Sequence, residues 1–392
     1  MITHSLKSEF LLDPNVIFLN HGSFGACPRP VFEKYQWWQR ELERQPVEFL
    51  GRQYTTLLAE ARANLAVYLG AEADDLVYFP NPTIALNMVA RSLNLSPGDE
   101  ILTTDHEYGA MDRMWHFVCR ENGAKYVHHS IPLPVTTQEN FADQFWSGVN
   151  ERTKIIFISH ITSPTALIFP VKEICKRARE AGILSIVDGA HVPGHIPLNL
   201  HELGCDIFTG ACHKWMCAPK GSAFLYARRD VQSWLEPLVI SWGWGDDVIA
   251  PSPDMGETQF VSHHQWQGTR DLAAFLATPA AIEFQREHNW DEVRTRCHAL
   301  AAETRRRVNQ VTGLESISPE SSEWFNQLVA IRVPPMDLAK LKTRLYEEFK
   351  IEVPVVLWNN QHFIRVSYQG YNDEGDMEKL VEAMKKIISS LP

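Results

Sequence analysis

Between residues 76 and 226, short apolar runs rich in β-branched residues alternate with longer stretches of helical period. The runs fall at 76–79, 100–104, 154–159, 183–188, 206–209 and 222–226, and the helical stretches at 83–93, 109–122 and 171–181. Segments such as IIFIS and LSIVD are apolar at odd and even positions alike, as strands covered on both faces must be. The strand–helix–strand rhythm predicts right-handed crossovers and an α/β fold, with a mainly parallel central sheet and helices on both faces.

Beyond about residue 272 the texture changes. Helical patterns at 271–288 and 290–312 lead into strands at 326–333 and 362–367, with helices at 336–349 and 373–390. The expectation is an amino-terminal arm (1–20) packing with the small domain, a large α/β domain (21–272) and a smaller α+β domain (273–392). Residues 234–268 place Trp234, Trp242, Trp244 and Trp266 among Gly, Pro and Ser. A loop region so rich in indoles belongs at an interface or over a cleft. There is no internal repeat and no low-complexity tract.

Composition narrows the class. Apolar residues make up 45% and charged residues 22% of 392, a globular balance. With 37 Lys and Arg against 48 Asp and Glu the net charge is −11, which argues against nucleic acid or an anionic membrane as partner. No apolar run approaches the ~18 residues of a membrane helix. The start, MITHSLKSEFLLDPN, lacks the basic-then-apolar plan of a secretory leader, so the expected location is cytoplasmic. Seven scattered cysteines read as reduced thiols and not as a disulfide framework. Cys212, His213 and Cys217 have no second ligand pair of zinc spacing, and no metal site is expected.

In an open α/β sheet, ligands bind beyond the carboxyl ends of the strands. After LSIV come Asp188, Gly189, Ala190 and His191; after DIF come Thr209 to Trp215, including Lys214. A plain reading makes Asp188 a cap and Lys214 a solvated surface group. Lys214, however, sits among Ala, Cys, Trp and Met, where desolvation lowers the pKa of an amine and makes it nucleophilic. A lysine that condenses with an aldehyde, paired with an aspartate that keeps a ring nitrogen protonated, is what pyridoxal phosphate requires.

Eight segments in order carry a resemblance: LNHGSFGACP, NPTIALN, TTDHEYGAMD, ISHITSPTA, VDGAH, TGACHKWMCAPKGSAFLY, WQGTRD and FIRVSYQGYN. Together they resemble the class V aminotransferase group of fold-type I pyridoxal phosphate enzymes, within it the isopenicillin N epimerase-like branch. The resemblance implies pyridoxal 5'-phosphate as cofactor, an amino acid as substrate and a homodimer with shared active sites. It implies Lys214 as the covalent anchor, Asp188 at the ring nitrogen and His191 at the ring's phenolic oxygen. Tyr108 takes the ring-stacking position, with His106 two positions too early; a packed, half-exposed tyrosine is the alternative. Asn81, Pro82 and Thr83 precede a helix and suit a phosphate, although Thr83 also reads as a helix cap. His213 approaches the phosphate as well. Ala211 stands where relatives carry Ser, leaving Thr209 or a water to supply that contact. Thr269 is implied to reach the neighbouring subunit's phosphate. Arg365 is implied to bind the substrate carboxylate, helped by Ser163, with Asn20 and His21 at the entrance. A surface ion pair is the other reading of Arg365, against which Phe363, Ile364 and Val366 argue.

The fold leaves the reaction open. Desulfurases of the group keep a nucleophilic cysteine in a loop before the carboxylate-binding arginine, and VPVVLWNNQHF (353–363) contains none. An α-carbon epimerase or racemase is the first reading, with Lys214 as one base and Tyr108, His106 and His21 as candidates for a second. A C–S lyase working by β-elimination is the alternative. A binding protein without catalysis is the third, disfavoured by an intact Lys214, Asp188 and Arg365.

Overall fold

The computed structural model describes residues 5–245 and 258–390, so part of the tryptophan-rich stretch (246–257) lies outside the described residues. A short amino-terminal strand, β1 (Ile17–Phe18), is followed by the seven strands of the large sheet. These are β2 (Leu76–Phe79), β3 (Glu100–Thr104), β4 (Lys125–His129), β5 (Thr153–Ser159), β6 (Leu184–Asp188), β7 (Ile207–Ala211) and β8 (Ala223–Ala227), in spatial order β2-β8-β7-β6-β5-β3-β4. Strands β4, β3, β5, β6 and β7 run parallel, while β8 runs antiparallel between β7 and β2. The sheet is therefore mainly parallel, and both faces are covered. Ile155 and Phe157 of β5 enter one hydrophobic core, while Ile156 and Ile158 enter the other. This alternation is why the central strands read as unbroken apolar runs.

A second, antiparallel sheet follows in the chain: β9 (Leu328–Val333), β11 (Val355–Trp358) and β12 (Gln361–Ser367), with β12 in the middle. Between them β10 (Ile351–Glu352) pairs in parallel with β1, and the Leu6 amide donates to the Gly370 carbonyl at 2.9 Å. The amino-terminal arm is thus stitched to the carboxy-terminal third.

Several elements lay below the resolution of the pattern. Edge strand β4 (KYVHH) is polar and only partly buried, so no apolar run marks it. Strand β11 and the helices Arg29–Arg44 and Tyr54–Leu69 are likewise not predicted by the pattern. The single helical pattern at 271–288 is two helices, Ala273–Leu276 and Thr278–Glu287, the second with Pro279 in its first turn, where a missing N–H costs nothing. In the tryptophan-rich stretch, Gln259–Gln265 is a helix and Trp266 packs edge-on against Tyr54, while Trp242 and Trp244 are exposed. Among the described residues no helix is long and apolar enough to cross a membrane.

Candidate active site

The carboxyl ends of β2, β3, β5, β6 and β7 open on one cavity of about 180 Å³, lined by Lys214, Asp188, His191, His213, Tyr108, Ser163 and the turn Asn81-Pro82-Thr83, among others. Parallel strands bring these segments together because all their carboxyl ends lie on one edge of the sheet. Lys214 follows β7 in a tight reversal, where the Ala218 amide donates to the Cys212 carbonyl and the Cys217 amide to that of Lys214. Two glycines let neighbouring turns press on this reversal. A Cβ on Gly25 (φ +69°) would lie 2.1 Å from the His213 carbonyl, and one on Gly194 (φ +84°) would lie 2.4 Å from that of Trp215.

Protein surrounds the Lys214 amine closely enough that burial lowers its pKa to about 8; Asp188 opposes this shift and Arg365 adds to it. Its Nζ lies 3.1 Å from Nε2 of His191. Asp188 is buried, which raises its pKa, while the Ala190 amide donating to Oδ1 at 2.9 Å and the charge of Lys214 push back. Among the described residues the other carboxylate oxygen has no donor, so an acceptor faces the cavity. A buried carboxylate with a vacant oxygen, opposite a nucleophilic amine, suits a protonated ring nitrogen and an aldehyde on one small aromatic ring. These residues fit pyridoxal 5'-phosphate.

The phosphate end fits too. Asn81 caps helix Pro82–Ser92 by accepting from the Ile84 amide at 2.9 Å, which leaves the Thr83 N–H and hydroxyl at the helix mouth. His213 donates through Nδ1 to the Ser222 carbonyl at 2.9 Å, and burial lowers its pKa to about 4. Its Nε2 is therefore an acceptor until a bound anion draws a proton onto it. Thr209 does not replace the missing serine at Ala211: it is fully buried and its hydroxyl donates to the Phe224 carbonyl within the sheet.

Arg365 comes from β12, the middle strand of the small sheet. It is 7% exposed, and Nη1 donates to the carbonyl (2.5 Å) and hydroxyl (3.1 Å) of Ser163 while Nη2 donates to the Ser23 hydroxyl (3.1 Å). Among the described residues no carboxylate pairs with it, and its Nε has no partner. Burial lowers its pKa to about 10, which leaves it a cation. This disposes of the surface ion pair and leaves a charge in want of an anion.

Both expected entrance residues, His21 and Asn20, lie elsewhere. His21 is fully buried behind the lysine, with Nε2 on the Lys214 carbonyl and Nδ1 on the Tyr371 hydroxyl, both at 3.0 Å. Asn20 does not line the cavity; it accepts from Ser23 and so braces the serine that Arg365 holds. His106 also leaves the field as a base, being buried with Thr165 and the Ile131 carbonyl on its two nitrogens. Tyr108, 47% exposed, lines the cavity. Thr269 is exposed and does not line this chain's cavity.

The sequence reading missed Ser23, although it lies inside the LNHGSFGACP segment, and Glu107. Burial pushes the Glu107 carboxyl up to about 7; it accepts from the Ser159 amide and hydroxyl and from Thr104, with Asp188 raising it further. No cysteine lines the cavity, and all seven thiols are pushed upward, chiefly by burial. A thiolate nucleophile has no place here.

The chain is similar to known proteins over nearly its whole length. The family model described as Aminotransferase class-V matches residues 26–380. An isopenicillin N epimerase of Amycolatopsis lactamdurans is 38% identical, covering 97% of each chain. A probable chloroplastic L-cysteine desulfhydrase of Arabidopsis thaliana is 27% identical over 98% of this chain and 85% of its own. Among solved structures, a cysteine desulfurase from Thermococcus onnurineus shares the fold, with a TM-score of 0.85 at 21% identity and 98% coverage of both chains.

Proposed function

The chain belongs to the class V aminotransferase family and is a pyridoxal 5'-phosphate enzyme; from that premise we propose that it inverts the α-carbon of an amino acid, in the manner of the isopenicillin N epimerases it is similar to. The observation that carries α-proton removal is a buried Arg365 without a carboxylate partner, beside a lysine whose pKa is lowered to about 8, and the similarity to the epimerases favours inversion over elimination. Such a pair suits a substrate that brings a carboxylate and an acidic Cα–H.

In this reading Lys214 would hold the cofactor covalently, Asp188 its ring nitrogen and His191 its ring oxygen. Tyr108 would lie at the ring, and Asn81, Pro82, Thr83 and His213 would hold the phosphate. The cofactor, when bound, supplies a ring that draws negative charge away from Cα. Arg365 takes the carboxylate with Ser163 and Ser23 bracing its fork, and so presents the Cα–H to Lys214. Once the substrate's own amine has displaced it from the covalent bond, Lys214 Nζ removes the proton, its pKa of about 8 making it a base of suitable strength. Inversion needs a proton returned to the opposite face, and Tyr108 is the remaining candidate of the three considered.

We further propose a homodimer in which Thr269 completes the partner's phosphate site. A run of exposed apolar residues (Val239, Ile240, Trp242 and Trp244 among them) supports a protein contact shortly before it. The expected location remains the cytoplasm. We propose the same division of the chain into one arm (1–20), one large domain (21–272) and one small domain (273–392).

β-Elimination from a cysteine-derived substrate is the second reading, supported by the desulfhydrase relative. It shares each step up to proton removal. Incubation in heavy water with isopenicillin N and, separately, cysteine, followed by NMR and a keto-acid assay, separates them. Deuterium at Cα in both configurations without keto acid supports the epimerase; pyruvate with ammonia supports the lyase. No deuterium at Cα and no keto acid with either compound refutes both.

A further inference from the structure

We propose that Trp215 is a positioning residue: its indole N–H fixes His191 as the tautomer that carries its proton on Nε2, so that a donor faces the Lys214 amine and the space beside it. Trp215 Nε1 donates to His191 Nδ1 at 3.2 Å. An indole nitrogen only donates, so Nδ1 must accept, and a neutral imidazole then has its one proton on the other nitrogen. That nitrogen is 3.1 Å from Lys214 Nζ.

The ring stays neutral because it is buried and because the groups that face it, Lys214, Arg365, His195 and His21, all disfavour a second proton. A charged ammonium at Lys214 would meet an N–H, donor against donor. The free amine instead accepts it. The lock therefore favours the nucleophilic form of the lysine, and it points the same N–H at any oxygen acceptor that later takes the amine's place.

The indole is itself held. It lies between His195, stacked at 4.0 Å with 22° between planes, and His21, tilted at 5.0 Å. The Gln285 side-chain amide donates to the Trp215 backbone carbonyl at 3.1 Å. His195 is fixed in turn: its Nε2 accepts from the Gln327 amide at 3.0 Å, so its Nδ1–H donates to the His191 carbonyl at 3.0 Å. Each ring nitrogen around Trp215 thus has an assigned role, and none is free to let the indole turn. This inference rests on the geometry of the chain alone and is independent of which reaction follows.

The test has three arms, all on the full chain. Nitrogen NMR of histidine-labelled protein, loaded and stripped of cofactor, reads the tautomer of His191, whose signals His191→Ala identifies. A protonated Nε2 and a bare Nδ1 are expected in both states; a protonated Nδ1 in the stripped wild-type chain overturns the proposal without recourse to any variant. Trp215→Phe keeps an aromatic ring between the histidines but removes the N–H, and a mixed or reversed tautomer is expected; an unchanged tautomer overturns the proposal. Finally, reductive methylation by formaldehyde and cyanoborohydride, read at the Lys214 peptide of the stripped chain, reports the neutral amine as a function of pH. Trp215→Phe should move its midpoint up by about one pH unit, about tenfold slower reaction at a fixed lower pH. In a His191→Ala background the same substitution should move nothing. A persisting shift there would show that Trp215 acts by packing and would overturn its role through His191.

Discussion

Replacing Arg365 by lysine keeps the charge and removes the fork. In the structure three hydrogen bonds leave two different nitrogens of the guanidinium, towards Ser163 and Ser23, and these bonds set the plane in which a carboxylate would meet it. A lysine ammonium is a single point and cannot brace on both serines while also offering two parallel donors. Losing one charge-assisted hydrogen bond to the substrate costs ~2–3 kcal/mol. At ~1.4 kcal/mol per decade this is a loss of roughly 30- to 150-fold in kcat/KM. The loss should appear mainly in KM, because the carboxylate is bound alike before and during proton removal. Cofactor affinity, measured by equilibrium titration of its absorbance, should change less than about threefold, since Arg365 makes no contact with the Asn81–Thr83 turn or Asp188. The decisive comparison uses an amide of the substrate, which lacks the carboxylate anion: Arg365→Lys should barely alter its weak reaction. An unchanged KM for the free acid, or an equal loss with the amide, would refute the assignment of the buried cation to the substrate.

Borohydride reduction of the purified, yellow protein followed by peptide mapping should place the pyridoxyl group on Lys214, and labelling of another lysine would displace it from the centre. Glu107 should govern part of the pH dependence of stability. Its folded pKa of about 7 lies above the ordinary 4.5, so the folded state binds the extra proton and stability falls as pH rises from about 4.5 to 7. The difference in unfolding free energy between Glu107→Gln and wild type, from denaturant titrations at each pH, should therefore shift in favour of the variant by about 1–3 kcal/mol across that window; a pH-independent difference would contradict it. Mixing inactive Lys214→Ala and Thr269→Ala chains should restore activity through heterodimers with one intact site, and a fully loaded monomer in sedimentation would exclude a shared site.

The segment between residues 76 and 226 could be read from pattern alone because its strands are covered on both faces. Burial of that kind writes itself into every position of IIFIS and LSIVD, and the chemistry then follows at their ends, with Asp188 closing one strand and Lys214 following another. The polar edge strand at Lys125–His129 bears no such imprint, since hydrogen bonding to one neighbour asks little of its side chains.

The roles of the histidines mark the boundary between the two kinds of knowledge. His21, His106, His191 and His213 are chemically the same residue in the sequence, and each stands in a segment that resembles the family. Only the tertiary contacts separate them. His21 and His106 spend both nitrogens on distant partners, Tyr371 and Ile131 among them, whereas His191 faces the lysine. Arg365 likewise looks like any arginine on a strand until the fold buries it and supplies two serines but no carboxylate. The residue types and their order determined which chemistry the chain can perform. Which proton sits on which nitrogen, and which charge lacks a partner, was decided by neighbours from other segments of the chain, because hydrogen bonds and desolvation depend on distance in space and not along the chain.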